Sequence, residues 1–228
     1  MIKEIKVLSN GYVKFIDVMG NDLSIVNAAR QSFDISHTEL TESDTGLINY
    51  LVKNRHGTPT EMVAFQFQLK APVTVARELM RHRNSSFNEV SGRYVKMKNE
   101  FYYPEGEAIR TQEGKPGHYI FSSIKDKKVI EKVAEIFKKA YTSTYADYEQ
   151  LLSLGVAKEL ARNVLAQGMY TTFSYMANAR SLMNFLSLRT HETAMYEIRQ
   201  YALVIEEIFK EHLPITHQAF INNGRVAP

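Results

Sequence analysis

Between Val63 and Leu69 the chain alternates in period two: Val63, Phe65, Phe67 and Leu69 are apolar, and Ala64, Gln66 and Gln68 stand between them. Successive side chains of an extended chain point to opposite sides, so this stretch is a strand with one face buried and one face wet. Pro72 ends it. Val75, Ala76, Leu79 and Met80 then recur at helical spacing, predicting a short amphipathic helix that runs directly into Arg81, His82 and Arg83. The basic cluster is thereby placed at a helix C-terminus.

Before that strand, two short strands are expected around Ile5 to Leu8 and Tyr12 to Val18, joined at the turn pair Asn10 and Gly11. Asn21 and Asp22 mark the start of a helix with Leu23, Val26, Ala29 and Phe33 on one face. A second helix spans about Glu42 to Asn54, with Thr41 and Asp44 in capping-box spacing and Ile48, Leu51 and Val52 as its buried stripe. Residues 95–118 hold Pro104, Gly106, Gly114, Pro116 and Gly117 without a clear period and read as a long loop or flap. The stripe Ile130, Val133, Phe137, Tyr141, Tyr145, Tyr148 and Leu152 predicts a long helix over about 122–153, with a break near Thr142 to Thr144 and Gly155 closing it. Further helices fit Ala157 to Leu165, Arg180 to Leu188 and Thr193 to His212, where Pro214 stops the pattern. No repeat, linker or low-complexity segment divides the 228 residues, so one domain over 1–228 is expected.

Composition narrows the chemistry. The hydrophobic content of 44% suffices to close a core without metals or disulfides. The chain has no cysteine, which excludes thiolate metal sites and every mechanism that needs a cysteine nucleophile. A net charge of +3 is too small to mark a nucleic-acid coat or a membrane-surface protein, so an anion site must come from local clustering. No window approaches the roughly 20 apolar residues of a membrane span, and a cytoplasmic protein is expected.

The local cluster is residues 81–94, RHRNSSFNEVSGRY. If Asn88 to Tyr94 is extended, Glu89, Ser91 and Arg93 share one side and Asn88, Val90, Gly92 and Tyr94 the other. An acid, a hydroxyl and a guanidinium on one edge suit a nucleotide's phosphate and ribose. Arg81 and Arg83, two residues apart on a helix, address different groups. Alone, RHR reads as a solvated basic helix end, and the Asn, Ser and Gly residues as a turn.

The full string matches RHRxxSxNExSxR, the pattern of the flavin-dependent thymidylate synthases, at Arg81, His82, Arg83, Ser86, Asn88, Glu89, Ser91 and Arg93. The stretches VMGNDLSIVNAARQSF, RHGTPTEMVAFQFQLKAPVTVAREL and MANARSLMNFLSLR also resemble that family, leaving weak similarity only over about 95–150. The resemblance implies a mixed α/β (α+β) fold, an antiparallel or mixed sheet flanked by helices, assembled as a homotetramer whose active sites combine several subunits. It implies conversion of dUMP to dTMP with 5,10-methylenetetrahydrofolate as carbon donor and NADPH-reduced FAD as hydride source. The missing cysteines fit, since a classical thymidylate synthase needs a thiolate.

Carried over by motif position, Ser32, Arg81, His82, Arg83, Asn84, Glu89, Asn178, Arg180 and Asn184 are expected to contact FAD, with His56 and Thr58 reaching a flavin in a neighbouring subunit. Glu78, Arg81, Glu89, Val90, Ser91, Gly92, Arg93, Arg162 and Arg189 are expected to hold dUMP. Arg189 is the catalytic candidate, stabilising an ionised uracil. Nine residues past Arg180 on a helix, it points roughly opposite to Arg180 and Asn184 and so takes a second ligand. Ser91 has no adjacent base and is given a binding role.

One position departs from the family: residue 78, commonly Gln, is Glu78 here. It either changes the affinity for an anionic substrate or pairs on its own helix with Arg77, Arg81 or His82, the reading favoured. His37, His118, His191, His212 and His217 lack metal-ligand spacing, and no metal is expected. The tyrosines at 141, 145 and 148 read as core or subunit contact, and the lysines at 125, 127 and 128 as a solvated helix start. Two rival readings remain: a module gripping RNA or single-stranded DNA with steep salt dependence, and a degenerate family member that binds nucleotide without turnover.

Overall fold

A computed structural model describes residues 4–228. The chain opens with β1 (Glu4–Val7) and β2 (Gly11–Met19), paired antiparallel with Val7 opposite Gly11. The turn therefore lies on Leu8, Ser9 and Asn10, with Leu8 at φ 57°, rather than on Asn10 and Gly11. Gly11 is needed for another reason. A Cβ there would meet the Tyr201 hydroxyl at 2.0 Å and the Lys70 carbonyl oxygen at 2.7 Å, so only glycine lets the strands and the helix above them approach.

Next come α1 (Asp22–Arg30) and α2 (Glu42–Lys53). Asn21 caps α1, its Oδ1 accepting from the Ser24 N–H at 3.1 Å. Asp22 is the first residue of α1 rather than its cap, and it is buried. Phe33 leaves the expected stripe, because α1 ends at Arg30 and the short 3₁₀ turn 31–33 leaves its ring 77% exposed. In α2 the Thr41 N–H donates to Asp44 Oδ2 at 2.9 Å, and Ile48, Leu51 and Val52 are buried as expected. Burial alone would raise the pKa of Asp44; hydrogen bonds from Arg30, Thr41 and His37 outweigh it and hold the carboxyl well below the usual carboxylate range.

After the single turn α3 (Thr58–Glu61), β3 runs from Ala64 to Pro72, burying Phe65, Phe67 and Leu69 and exposing Gln66. Pro72 occupies the last strand position, and α4 (Val73–Leu79) starts at once. Because α4 stops at Leu79, residues 81–84 lie in the turn beyond it, not on the helix, and the angular argument separating Arg81 from Arg83 does not apply. β4 (Ser85–Glu89) follows.

The stretch read as a loop carries structure. Phe101 bridges to Met169, and β5 (Arg110–Lys115) and β6 (His118–Ser123) form a separate hairpin around Pro116 and Gly117. The long helix α5 (Lys127–Ser153) begins later than expected, because 122–123 belong to β6, and it runs unbroken through 142–144. Tyr141, Tyr145 and Tyr148 are buried in a second cluster with Phe101 and Met169. α6 (Lys158–Ala161) and a 3₁₀ turn at 162–164 replace one expected helix.

β7 (Tyr170–Asn178) was not anticipated, yet it is the strand on which the site depends. The main sheet has the order β1-β2-β3-β7-β4, antiparallel throughout, and β7 joins β3 to the edge strand β4. α7 (Ala179–Arg189), α8 (Tyr196–His212) and α9 (Pro214–Asn222) complete the chain. Pro214 therefore opens a new helix at its first turn, where a missing N–H costs nothing, as well as ending the previous one. The core forms between one face of the sheet, with Phe65, Phe67, Phe173 and Tyr175, and the helices that supply Ile205, Phe209 and Leu186. Mixed α/β architecture with a one-sided antiparallel sheet is thus what the chain adopts.

Candidate active site

Three chain segments meet at one end of the sheet. Register pairs Ala64 with Asn178 and Ser85 with Ala177, so the start of β3, the start of β4 and the end of β7 lie side by side. Asn178 then turns the chain from β7 into α7, its Oδ1 accepting from the Ser181 N–H at 2.9 Å. Beside this junction opens a cleft of about 1010 Å³, walled by Arg81, His82, Arg83 and Asn84 from the α4–β4 turn and by Asn178, Arg180, Asn184 and Arg189 from α7 and its cap. Seven of the residues expected to contact the flavin, together with Arg189, line this one space. Arg189, the last residue of α7, lines the same cleft as Arg180 and Asn184, although it lies nine residues beyond Arg180 on the helix.

Two arginines of this wall are held differently. Arg180 donates from Nη1 to Glu61 at 2.6 Å and from Nε to the Pro228 carbonyl oxygen at 2.6 Å. Gly57 lies against it so closely that a Cβ would sit 2.5 Å from Arg180 Nε. Arg189 pairs through Nη1 with Glu78 Oε2 at 2.9 Å and donates from Nε to His82 Nε2 at 3.1 Å. Glu78 therefore pairs with Arg189 on another helix and not with Arg77, Arg81 or His82, the favoured expectation. Glu78 is not among the residues that line the cleft.

His82 is half-buried and packs edge-on against Phe185, 5.1 Å between ring centroids. Burial and the Arg189 charge lower its pKa to about 4, with Glu78 opposing them. The ring is neutral at pH 7, and because Nε2 accepts from Arg189 its proton sits on Nδ1.

Ser32, His56 and Thr58 lie elsewhere, in a second cleft of about 860 Å³ with Ala28, Ala29, Leu51, Pro59 and Met62. Arg180 lines both clefts and is the only one of the expected residues to do so.

The remaining residues sit at the far end of β4, roughly 13 Å along the strand at about 3.3 Å per residue. Glu89 closes β4, its Oε1 accepting from the buried Thr171 hydroxyl at 2.6 Å. The ladder extends one bond further, Val90 N–H to Thr172 O at 2.9 Å, and then the chain turns: Tyr94 and Val95 both donate to the Ser91 carbonyl. The extended edge proposed for 88–94 therefore ends at Val90, and Glu89, Ser91 and Arg93 do not form one alternating face. Arg93 Nε donates to Glu159 Oε2 at 2.9 Å, both side chains being 56% exposed. Gly92 is buried against Arg162, whose Cδ a Cβ would approach to 3.0 Å, so Arg162 does join this group.

Two participants carried no sequence signal. Glu61, which fixes Arg180, sits in a segment read only for its threonine and histidine, and Thr171, which holds Glu89, lies in the unanticipated strand. His37, His212 and His217 have structural roles: against Asp44, stacked on Phe15 and beside Glu206 respectively. Among the described residues no cluster of acidic and histidine side chains has a metal-ligand arrangement, and no helix is long and apolar enough to cross a membrane.

Comparison with known proteins bears directly on this arrangement. Residues 14–215 match the family model of the thymidylate synthase complementing protein. A flavin-dependent thymidylate synthase of Thermotoga neapolitana is 44% identical over 218 residues, covering 96% of this chain and 94% of that protein. One of Thermus thermophilus is 43% identical over 216 residues, covering 95% and 77%. A UMP/dUMP methylase of Streptomyces cacaoi, PolB, crystallised with 5-Br dUMP, superposes with a TM-score of 0.89 at 38% identity over 98% of this chain and 100% of that one. With motif, cleft and near-full-length similarity in agreement, this chain belongs to the thymidylate synthase complementing protein family, the flavin-dependent thymidylate synthases.

Proposed function

We propose that this chain is a flavin-dependent thymidylate synthase that methylates dUMP to dTMP, with FAD as resident cofactor and NADPH and 5,10-methylenetetrahydrofolate as co-substrates. The observation that carries the reading is the convergence of Arg81, His82, Arg83, Asn84, Arg180, Asn184 and Arg189 on one polar cleft. The Arg81, Arg83 and Arg180 guanidinium groups and the Asn84 and Asn184 amides match the phosphate and ribose oxygens of a dinucleotide, and the more apolar second cleft that shares Arg180 suits a planar ring. The donor set therefore fits FAD. Held by these residues, FAD in its reduced form would supply the hydride equivalent needed to complete a transferred methylene as a methyl group.

The chain's own residues position and polarise. Arg189, paired with Glu78, presents a positive charge where negative charge develops on the uracil. His82, which lines the cleft, is neutral and accepts from Arg189 at Nε2, which leaves Nδ1–H as its donor. Glu89, Ser91, Gly92, Arg93 and Arg162 gather the nucleotide's phosphate and sugar at the other end of β4. Since that group and the cleft lie apart on one chain, the working enzyme is read as a homotetramer that brings the cleft of one copy to the rim of another.

The test is direct. Purified protein is expected to be yellow, and to form dTMP from dUMP only when NADPH and methylenetetrahydrofolate are both supplied. Colourless protein that FAD cannot reconstitute overturns the reading. The assay includes UMP, since PolB is described as a UMP/dUMP methylase; turnover favouring UMP would reassign the substrate.

A further inference from the structure

Among the described residues Glu78 is the carboxylate that pairs with Arg189, at 2.9 Å, and it comes from α4 without lining the cleft. The pair is mostly shielded, with side chains 20% and 32% exposed, so its attraction is screened less than that of a surface pair. The opposite edge of the same guanidinium rests on His82 Nε2. Two of its donors are thus occupied by the protein, one by a neutral ring and one by a carboxylate, and the charge that faces the cleft is already partly compensated.

We propose that Glu78 is the resident counter-ion of Arg189: it holds the guanidinium in place and must share it with the anionic nucleotide when that binds. Glu78 is a positioning residue that sets nucleotide affinity through Arg189. The inference rests on the reading of Arg189, at the edge of the flavin cleft, as a contact of the dUMP uracil. A guanidinium relieved of its carboxylate has its full charge for the ligand, so removing the charge at 78 while keeping the shape strengthens binding.

The experiment measures equilibrium binding of dUMP to the FAD-loaded enzyme, with KM and kcat alongside. Glu78→Gln is expected to lower the Kd and KM for dUMP about three- to tenfold, the range of a partly shielded ion pair, while kcat does not rise. Glu78→Asp, which keeps the charge, is expected to return affinity to near the wild-type value. In an Arg189→Ala background the Glu78→Gln change should have no effect. Unchanged or weaker binding by Glu78→Gln overturns the proposal, and so does an equal tightening in the Arg189→Ala background, which would mean that Glu78 repels the nucleotide directly. If Arg189→Ala abolishes measurable binding, Glu78→Asp decides: near wild-type affinity supports the proposal, and tightening equal to that of Gln overturns it. Failure of both wild type and Glu78→Gln to bind dUMP overturns the substrate reading itself, and this proposal with it.

Discussion

A neutral histidine beside an arginine is the residue-scale feature with the clearest consequences. His82 stays uncharged because burial and Arg189 both oppose a proton, and its pKa of about 4 lies below the ordinary value of 6.5. Between those two values an unfolded chain binds a proton that the folded one refuses. Stability from this group is therefore fully present above about pH 6.5 and falls as pH drops toward 4. A ring-proton NMR titration should show His82 titrating near pH 4, with no inflection between 6 and 7; a midpoint near 6.5 would contradict the buried contact. Its neighbour makes a second prediction. Arg189→Ala removes the preorganised charge and should lower kcat by about 10²–10³-fold, the cost of losing one such donor. Steady-state turnover at saturating dUMP measures it, and turnover within threefold of wild type would remove Arg189 from the catalytic role. The identity of these residues was legible in the RHR motif and the MANARSLMNFLSLR stretch. Their contacts were not, because Glu78 and His82 meet Arg189 across more than a hundred residues of chain.

Among the elements, β3 was plain because both its faces are marked, and β7 was missed although it also alternates, with Phe173, Tyr175 and Ala177 inside and Ser174 and Met176 outside. Its alternation is blurred at the start by Tyr170 and Thr171, both buried, and by the polar residues that a sheet with one open face tolerates on its other side. The β5–β6 hairpin escaped because its side chains are mostly exposed and carry no apolar stripe to read. α9 escaped because Pro214 ends one helix and starts another. What anchors α9 is likewise nonlocal: Asp22, 3% exposed, accepts from the N–H groups of Ile215 and Thr216 at 2.9 and 3.1 Å and from the Thr216 hydroxyl at 2.6 Å. The carboxylate satisfies donors in the first turn of a helix almost two hundred residues away, where negative charge is favoured. Asp22→Ala should leave these donors buried and unpaired, costing about 2–4 kcal/mol and lowering Tm by roughly 5–10 °C. Thermal denaturation followed by circular dichroism checks this, and an unchanged Tm would show that α9 is held by packing alone.

At the scale of the whole molecule, the expected site residues form three groups, of which the first two share Arg180 and the third lies apart. Arg81 to Asn84 with Arg180, Asn184 and Arg189 line the first cleft; Ser32, His56 and Thr58 line the second; Glu89 to Arg93 and Arg162 sit at the far end of β4. The motif string thus holds two functional groups at opposite ends of a five-residue edge strand. The two ends lie roughly 13 Å apart on one chain at about 3.3 Å per residue, and a second copy in a symmetric assembly can bring its rim to this cleft. Mixing tests the arrangement without any structure. Arg189→Ala damages only the cleft and Arg93→Ala only the rim, and each variant alone is expected to be nearly inactive. Co-expressed in equal amounts and assembled at random, they form some sites with an intact cleft from the Arg93→Ala chain and an intact rim from the Arg189→Ala chain. If each site draws cleft and rim from two different chains, about a quarter of wild-type activity returns. If each chain builds its own site, every site carries a defect and no activity returns. Recovery near a quarter would therefore assign cleft and rim to separate subunits, and its absence would require a single chain to bend Glu89 to Arg93 back over α7.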